Sequence, residues 1–280
     1  MRRILFVFAG SAVLLACGPA ARLRGAIVTA GVATVPLEVR ANGTDLVPVT
    51  VFFPATDEGF ANGTNLPGLV YVQGGAVNPS RYSWQAVELA KRGYVVALPR
   101  HPLDLAFFAA DFGQTARGAL LAPGVLEGVV DPARIAVAGH SLGGVVTMKL
   151  ALGGGFQAAV VQASYSDPAD DAKLPALTIP TMYLAGQGDC MAKEQQVRDG
   201  WAKVSSPSAL VVLEGVTHFQ FSDSDAEDLK RSCIPGTSLD DAHARIIAAM
   251  TGFLGAALTS SPGVGEALLR SIPSAIVEVR

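Results

Sequence analysis

Between residues 33 and 54 apolar and polar positions alternate, VPLEVR and then LVPVTVFF, around the dipeptide Asn42-Gly43. A period of two marks a strand with one covered face, and Asn-Gly favours a tight turn, so this segment predicts an antiparallel hairpin. The alternation then stops. Short apolar runs at 68–73 (GLVYVQ), 94–98 (YVVAL), 134–139 (RIAVAG), 157–164 (QAAVVQAS), 179–186 (IPTMYLAG) and 208–215 (SALVVLEG) read as strands buried on both faces. Helical stretches separate most of them: 80–92, where Trp84, Val87, Glu88, Ala90 and Lys91 set the spacing until Gly93, then 111–128, 141–152, 191–203 and 239–257. Strands alternating with helices imply an α/β fold, a mostly parallel central sheet with helices on both faces. Residues 55–67 are a polar loop rich in Gly, Asn and Pro, and the apolar, Pro-interrupted tail 259–280 has no evident place.

The chain has 280 residues, half of them hydrophobic, enough for one large core. The net charge of −3 is scattered, with no basic stripe, which argues against a nucleic-acid partner. The four histidines (His101, His140, His218 and His243) lie far apart in sequence, with no metal-binding spacing, so neither a metal nor an organic cofactor is expected.

The amino terminus is different in kind. Arg2 and Arg3 precede an apolar block from Ile4 to Ala16, too short to span a bilayer as a helix. That is the layout of an export signal, and it is set apart from the fold. Its end, Leu14-Leu15-Ala16-Cys17, resembles the lipobox of bacterial lipoproteins. The resemblance implies a signal peptide over 1–16, lipidation of Cys17, a tether over 17–32 and anchorage to a membrane of the cell envelope. Ordinary cleavage near Ala20, giving a secreted or periplasmic protein, is the alternative. Export leaves Cys190 and Cys233 as an even pair in an oxidising compartment, and a disulfide between them is expected. Asn42-Gly43-Thr44 and Asn62-Gly63-Thr64 match the glycosylation sequon but read as turns.

Chemistry enters at Gly139-His140-Ser141-Leu142-Gly143. The apolar run before it predicts a strand and the one after it a helix, the setting in which Gly-x-Ser-x-Gly presents a nucleophile. Such a turn strains the serine and lifts its hydroxyl above the sheet. Glycines on either side remove the Cβ atoms that would collide where strand and helix cross. A serine hydroxyl also needs a base and a group that orients the base. Asp189 follows the strand at 179–186 and His218 follows the strand at 208–215, so both are delivered to the carboxyl edge of a parallel sheet. Asp167 is a rival acid. His243 falls within a helix, His101 precedes the serine, and His140 reads as packing or hydrogen bonding beside it, not as the base. The oxyanion of an acyl transfer needs backbone N–H donors. Leu142 supplies one at the helix start, and Gly75 in the loop QGGAV the other, with Ala76 as the alternative.

The segment from about 33 to 257, catalytic domain 33–258, resembles the α/β-hydrolase superfamily. YVQGGAV, RHPLDLAFF, GHSLGG, LAGQGD and GVTHFQF are similar to its small "fold-5" branch. The resemblance implies Ser141, Asp189 and His218 as a triad and the QGG loop as the oxyanion loop. Gln73 departs from the histidine that often precedes those glycines. Dienelactone hydrolases share the architecture but use cysteine; serine at 141 points to carboxylic esters as small-molecule substrates. Thioesterase, peptidase or acyltransferase chemistry of the same triad stays open, as does a catalytically silent, surface-anchored binding protein. The roughly 15 residues between 164 and 179 are too few for a cap domain. Leu105, Phe107 and Phe108 are expected to line an apolar wall suited to short-to-medium acyl groups, with plain core packing as the alternative.

Overall fold

A computed structural model describes residues 27–41, 45–100, 106–122, 126–205, 207–223, 233–259 and 262–280. The expected signal peptide, Cys17 and most of the tether lie outside the described residues. Ten strands form one sheet: β1 (Ile27–Thr29), β2 (Val32–Ala41), β3 (Asp45–Pro54), β4 (Leu66–Val72), β5 (Val95–Pro99), β6 (Val130–His140), β7 (Ala158–Gln162), β8 (Thr181–Gly186), β9 (Ser208–Leu213) and β10 (Ala275–Val279). Their order is β1-β2-β3-β5-β4-β6-β7-β8-β9-β10. From β5 through β9 neighbouring strands are parallel. β1, β2 and β3 run antiparallel at one edge, with β2 and β3 forming the expected hairpin, and β10 runs antiparallel at the other.

Every residue of β5, β7, β8 and β9 is buried, and successive residues serve opposite faces. In β4, Val70 and Val72 join one core, while Leu69 and Tyr71 join the other. The first core is roofed by α2 (Ala106–Leu121), α3 (Leu142–Gly153) and α4 (Glu194–Ala202), through Leu120, Met148, Leu150, Val197 and Trp201. The second is roofed by α1 (Ser83–Ala90), α5 (Leu239–Thr259) and α6 (Pro262–Arg270), through Leu89, Ile246, Met250 and Leu269. Each fully buried side chain of this kind is worth about 1.5–3 kcal/mol, so two continuous cores hold the sheet between the helical layers.

Three details differ from the sequence reading. The sheet extends beyond 33–258 at both ends: β1 lies within the segment read as tether, and the tail folds as α6 and β10. The latter pairs Ala275–Val279 with Leu213–Ala209. Helix α1 buries Gln85, Ala86, Leu89 and Ala90, whereas Trp84 and Val87 are only half-buried. Helix α2 starts at Ala106, ahead of the predicted 111. The β7–β8 connection carries two single 3-10 turns, Pro168–Asp170 and Leu174–Ala176, and no cap.

Strand order positions the site. From β4 the chain leaves toward α1 and the second core; from β6, its neighbour, it leaves toward α3 and the first core. Val72 pairs with Gly139, so the two departing loops start side by side. Such a divergence opens a crevice at the carboxyl ends of the strands, the usual ligand position in open α/β sheets.

Candidate active site

Ser141 stands at that crevice, between β6 and α3, with φ 54° and ψ −124°. This lies outside the regions an L-residue populates readily, and such backbone costs of order 1–3 kcal/mol. The surroundings hold it there. Its N–H donates to the Gln162 carbonyl at 2.9 Å, and its own carbonyl accepts from the Gly144 N–H at 2.8 Å. A Cβ on Gly139 would lie 2.4 Å from the Gly143 carbonyl oxygen, and one on Gly143 would lie 2.3 Å from the carbonyl oxygens of Val72 and Gln73. A Cβ on Gly144 would lie 2.5 Å from Ser164. The three glycines let α3 pack directly on the ends of β4 and β6.

Asp189 and His218 meet at the ends of β8 and β9. Asp189 Oδ2 is 2.8 Å from His218 Nδ1. Asp189 Oδ1 accepts the N–H groups of Met191 (2.7 Å) and Ala192 (2.8 Å). A carboxylate anchored in this way holds the imidazole proton on Nδ1 and leaves Nε2 as an acceptor. The two loops lock together because Gly188 donates to the Val216 carbonyl at 2.9 Å, and Gly186 leaves room for that carbonyl. The His218 ring lies 4.5 Å, centroid to centroid, from the ring of His140, the residue before Ser141. The turn that carries His218 therefore packs directly on the Ser141 turn.

Cys190, immediately after Asp189, is bonded to Cys233, with Cα atoms 5.3 Å apart. A bridge of this sequence separation is worth about 4 kcal/mol in the chain-entropy model.

The rival residues have other partners. Asp167 binds Lys149 Nζ at 2.7 Å and caps a 3-10 turn through the Ala169 N–H; the lysine holds its carboxyl below the usual range. His243 stacks on Trp84 at 3.5 Å. His101 and Leu105 lie outside the described residues. Phe107 and Phe108 fall in the first turn of α2, but their side chains lie outside them too, so the expected apolar wall has no structural description. In the glycine loop, the Gly74 N–H is taken by Tyr82 Oη at 2.9 Å. Those of Gly75 and Leu142 find no acceptor among the described residues. Ala76 adopts φ 55°.

A model of the alpha/beta hydrolase family matches residues 68–228, more than half the chain. The chain belongs to that family. The match takes in the glycine loop, the elbow and the loops bearing Asp189 and His218. A comparison with curated proteins gives no match.

The sequence reading missed a buried polar layer beneath this hydrolase's crevice: Tyr71, Tyr82, Gln85 and Gln162, each no more than 1% exposed. Tyr71 Oη donates to Gln162 Oε1 at 2.6 Å, and burial pushes its phenol well above the usual range. The available signal was glutamine in an otherwise apolar strand, AAVVQ, and on the inner face of α1.

Proposed function

We propose that the chain is a serine hydrolase that cleaves carboxylic esters through an acyl-enzyme. The observation that carries this reading is the buried Asp189–His218 pair packed against an elbow whose serine is held at φ 54°. His218 Nε2 takes the Ser141 proton as Oγ attacks the ester carbonyl. Asp189 stabilises the imidazolium that results. The N–H groups of Leu142 and Gly75 bind the oxyanion. Collapse expels the alcohol, which takes the proton back from His218. Water, deprotonated by the same imidazole, attacks the acyl carbonyl, and the acid leaves as His218 returns the proton to Ser141 Oγ.

The open site is consistent with small esters bearing an apolar acyl group. Leu142 at the start of α3, and Tyr165 and Met191 on the loops after β7 and β8, are exposed large apolar residues at the carboxyl edge, and the β7–β8 connection builds no cap over them. The basic and apolar amino terminus ending in Leu-Ala-Cys supports export and lipid anchorage through Cys17; Cys17→Ser should move the protein from the detergent to the aqueous phase on partitioning.

A fluorophosphonate probe tests the central claim, because only an activated serine reacts. The wild-type chain should label stoichiometrically, and Ser141→Ala should not label at all. Equal labelling of the two, or none of the wild type, would overturn the reading.

A further inference from the structure

Tyr82 is fully buried at the end of the turn Pro79–Tyr82 that leads into α1. Its hydroxyl joins two segments of the site. It accepts the Gly74 N–H at 2.9 Å and lies 2.9 Å from His140 Nδ1. The phenol donates to Nδ1 when the ring proton of a neutral His140 sits on Nε2 and accepts from it in the other tautomer, so Oη and Nδ1 are hydrogen-bonded in either case. Burial, reinforced by the nearby His218, keeps His140 from protonating. The fit is tight: a Cβ at Gly74 would lie 2.7 Å from Tyr82 Oη.

Three residues further along the same helical face, Gln85 is also fully buried. Its Nε2 donates to the Phe221 carbonyl at 2.8 Å and to Tyr71 Oη at 3.0 Å. Phe221 closes the turn that His218 opens. Gln85 Oε1 accepts from Gln162 Nε2 at 3.0 Å, and the Gln162 backbone carbonyl holds the Ser141 N–H. Tyr82 and Gln85, both fully buried, therefore grip the glycine loop, the Ser141 turn and the His218 turn together.

We propose that Tyr82 and Gln85 are positioning residues: Tyr82 sets the gap between the Gly75 N–H and Ser141, and Gln85 sets the height of the His218 turn. This rests on the serine-hydrolase reading above. Its physical basis is that donors and nucleophile must stay within about 0.5 Å of the productive geometry, and that misplacement by about 1 Å can cost 100-fold in rate. A hydroxyl shared by two buried groups defines such a spacing; a phenyl ring in its place leaves both unpaired.

The test uses the full chain and a p-nitrophenyl ester of short acyl length. Tyr82→Phe should lower kcat about 10- to 100-fold with KM changed less than about threefold, and the fluorophosphonate labelling rate should fall in parallel. His140→Leu, which removes the hydrogen-bonding partner, should match it. The double variant should be no worse than the poorer single one, and His140→Asn, whose amide can pair with the phenol as acceptor or donor, should recover most of the loss. In Gln85→Met the low-field NMR proton of the Asp189–His218 hydrogen bond should broaden or shift, while Tyr82→Phe should leave it in place. The inference is overturned if Tyr82→Phe keeps wild-type kcat, or if kcat and KM change together with the melting temperature. Should Tyr82→Phe not fold, the Leu and Asn variants at 140 decide: equal activity in the two rejects the role. Failure of the wild type to label rejects the hydrolase reading itself.

Discussion

Asp189 Oδ2 and His218 Nδ1 are 2.8 Å apart, and the two side chains are almost fully withdrawn from solvent. They come from loops after adjacent parallel strands, β8 and β9, and each loop is tied to the other's backbone. The pair therefore gives the imidazole one orientation and one tautomer before any substrate arrives. Asp189→Asn keeps an acceptor for the Met191 and Ala192 N–H groups but presents an amide to Nδ1. The expected loss in kcat is about 10³- to 10⁴-fold with the fold retained, measured by ester kinetics beside circular dichroism. Activity within tenfold of wild type would show that the carboxylate does not orient the base.

The backbone strain at Ser141 makes a prediction about stability. Its φ and ψ of 54° and −124° mirror an extended conformation that glycine populates freely and alanine does not. Ser141→Gly should abolish activity yet raise stability by about 1 kcal/mol, whereas Ser141→Ala should abolish activity without that gain. Denaturant melts of the three proteins decide it; a glycine variant less stable than the alanine variant would contradict the strain.

The Cys190–Cys233 bond anchors the residue next to the acid to a distant segment. Replacing both cysteines by serine, or adding reductant, should remove up to about 4 kcal/mol of stability and lower kcat by loosening the Asp189 loop. Melting temperatures with and without dithiothreitol, with parallel assays, measure both effects. An unchanged melting temperature after verified reduction would count against the stabilising role.

Two histidines make stability depend on pH. Burial, first, and then the neighbouring His218 hold His140 well below its ordinary range; burial likewise lowers His243. In the unfolded chain both titrate near about 6.5. Below that pH the unfolded state binds more protons than the folded one, so stability falls as pH drops from 7 to 5. The slope is at most about 1.4 kcal/mol per pH unit for His140 and smaller for the half-exposed His243. The carboxylates lowered by ion pairing, Asp167, Asp170 and Glu88, lose their contribution only in more acidic solution, through and below the ordinary carboxylate range near about pH 4. Urea midpoints at pH 5, 6 and 7 should rise in that order, and His243→Phe, which keeps the stack on Trp84, should flatten the trend. Equal midpoints would refute it.

The sequence by itself determined what local rules control. Apolar runs marked the inner strands because residues buried on both faces leave few polar positions, of which Gln162 is one. The glycines around Ser141 marked a strand–turn–helix crossing because a Cβ cannot fit there, and the expectation of an oxidising compartment singled out Cys190 and Cys233 as a pair. What the tertiary structure decided involves partners far apart in the chain. Tyr82 and His140 are 58 positions apart, and Gln85 and Phe221 are 136 apart. No local period shows that a tyrosine just before α1 and a glutamine on it turn inward beneath the crevice while Trp84 lies only half-buried. The tail AIVEV has the composition of an edge strand, but only the uncovered side of β9 chose its place. Polar groups are buried where folding brings a partner within hydrogen-bond distance, and that distance is a property of the assembled sheet and helices, not of any segment alone.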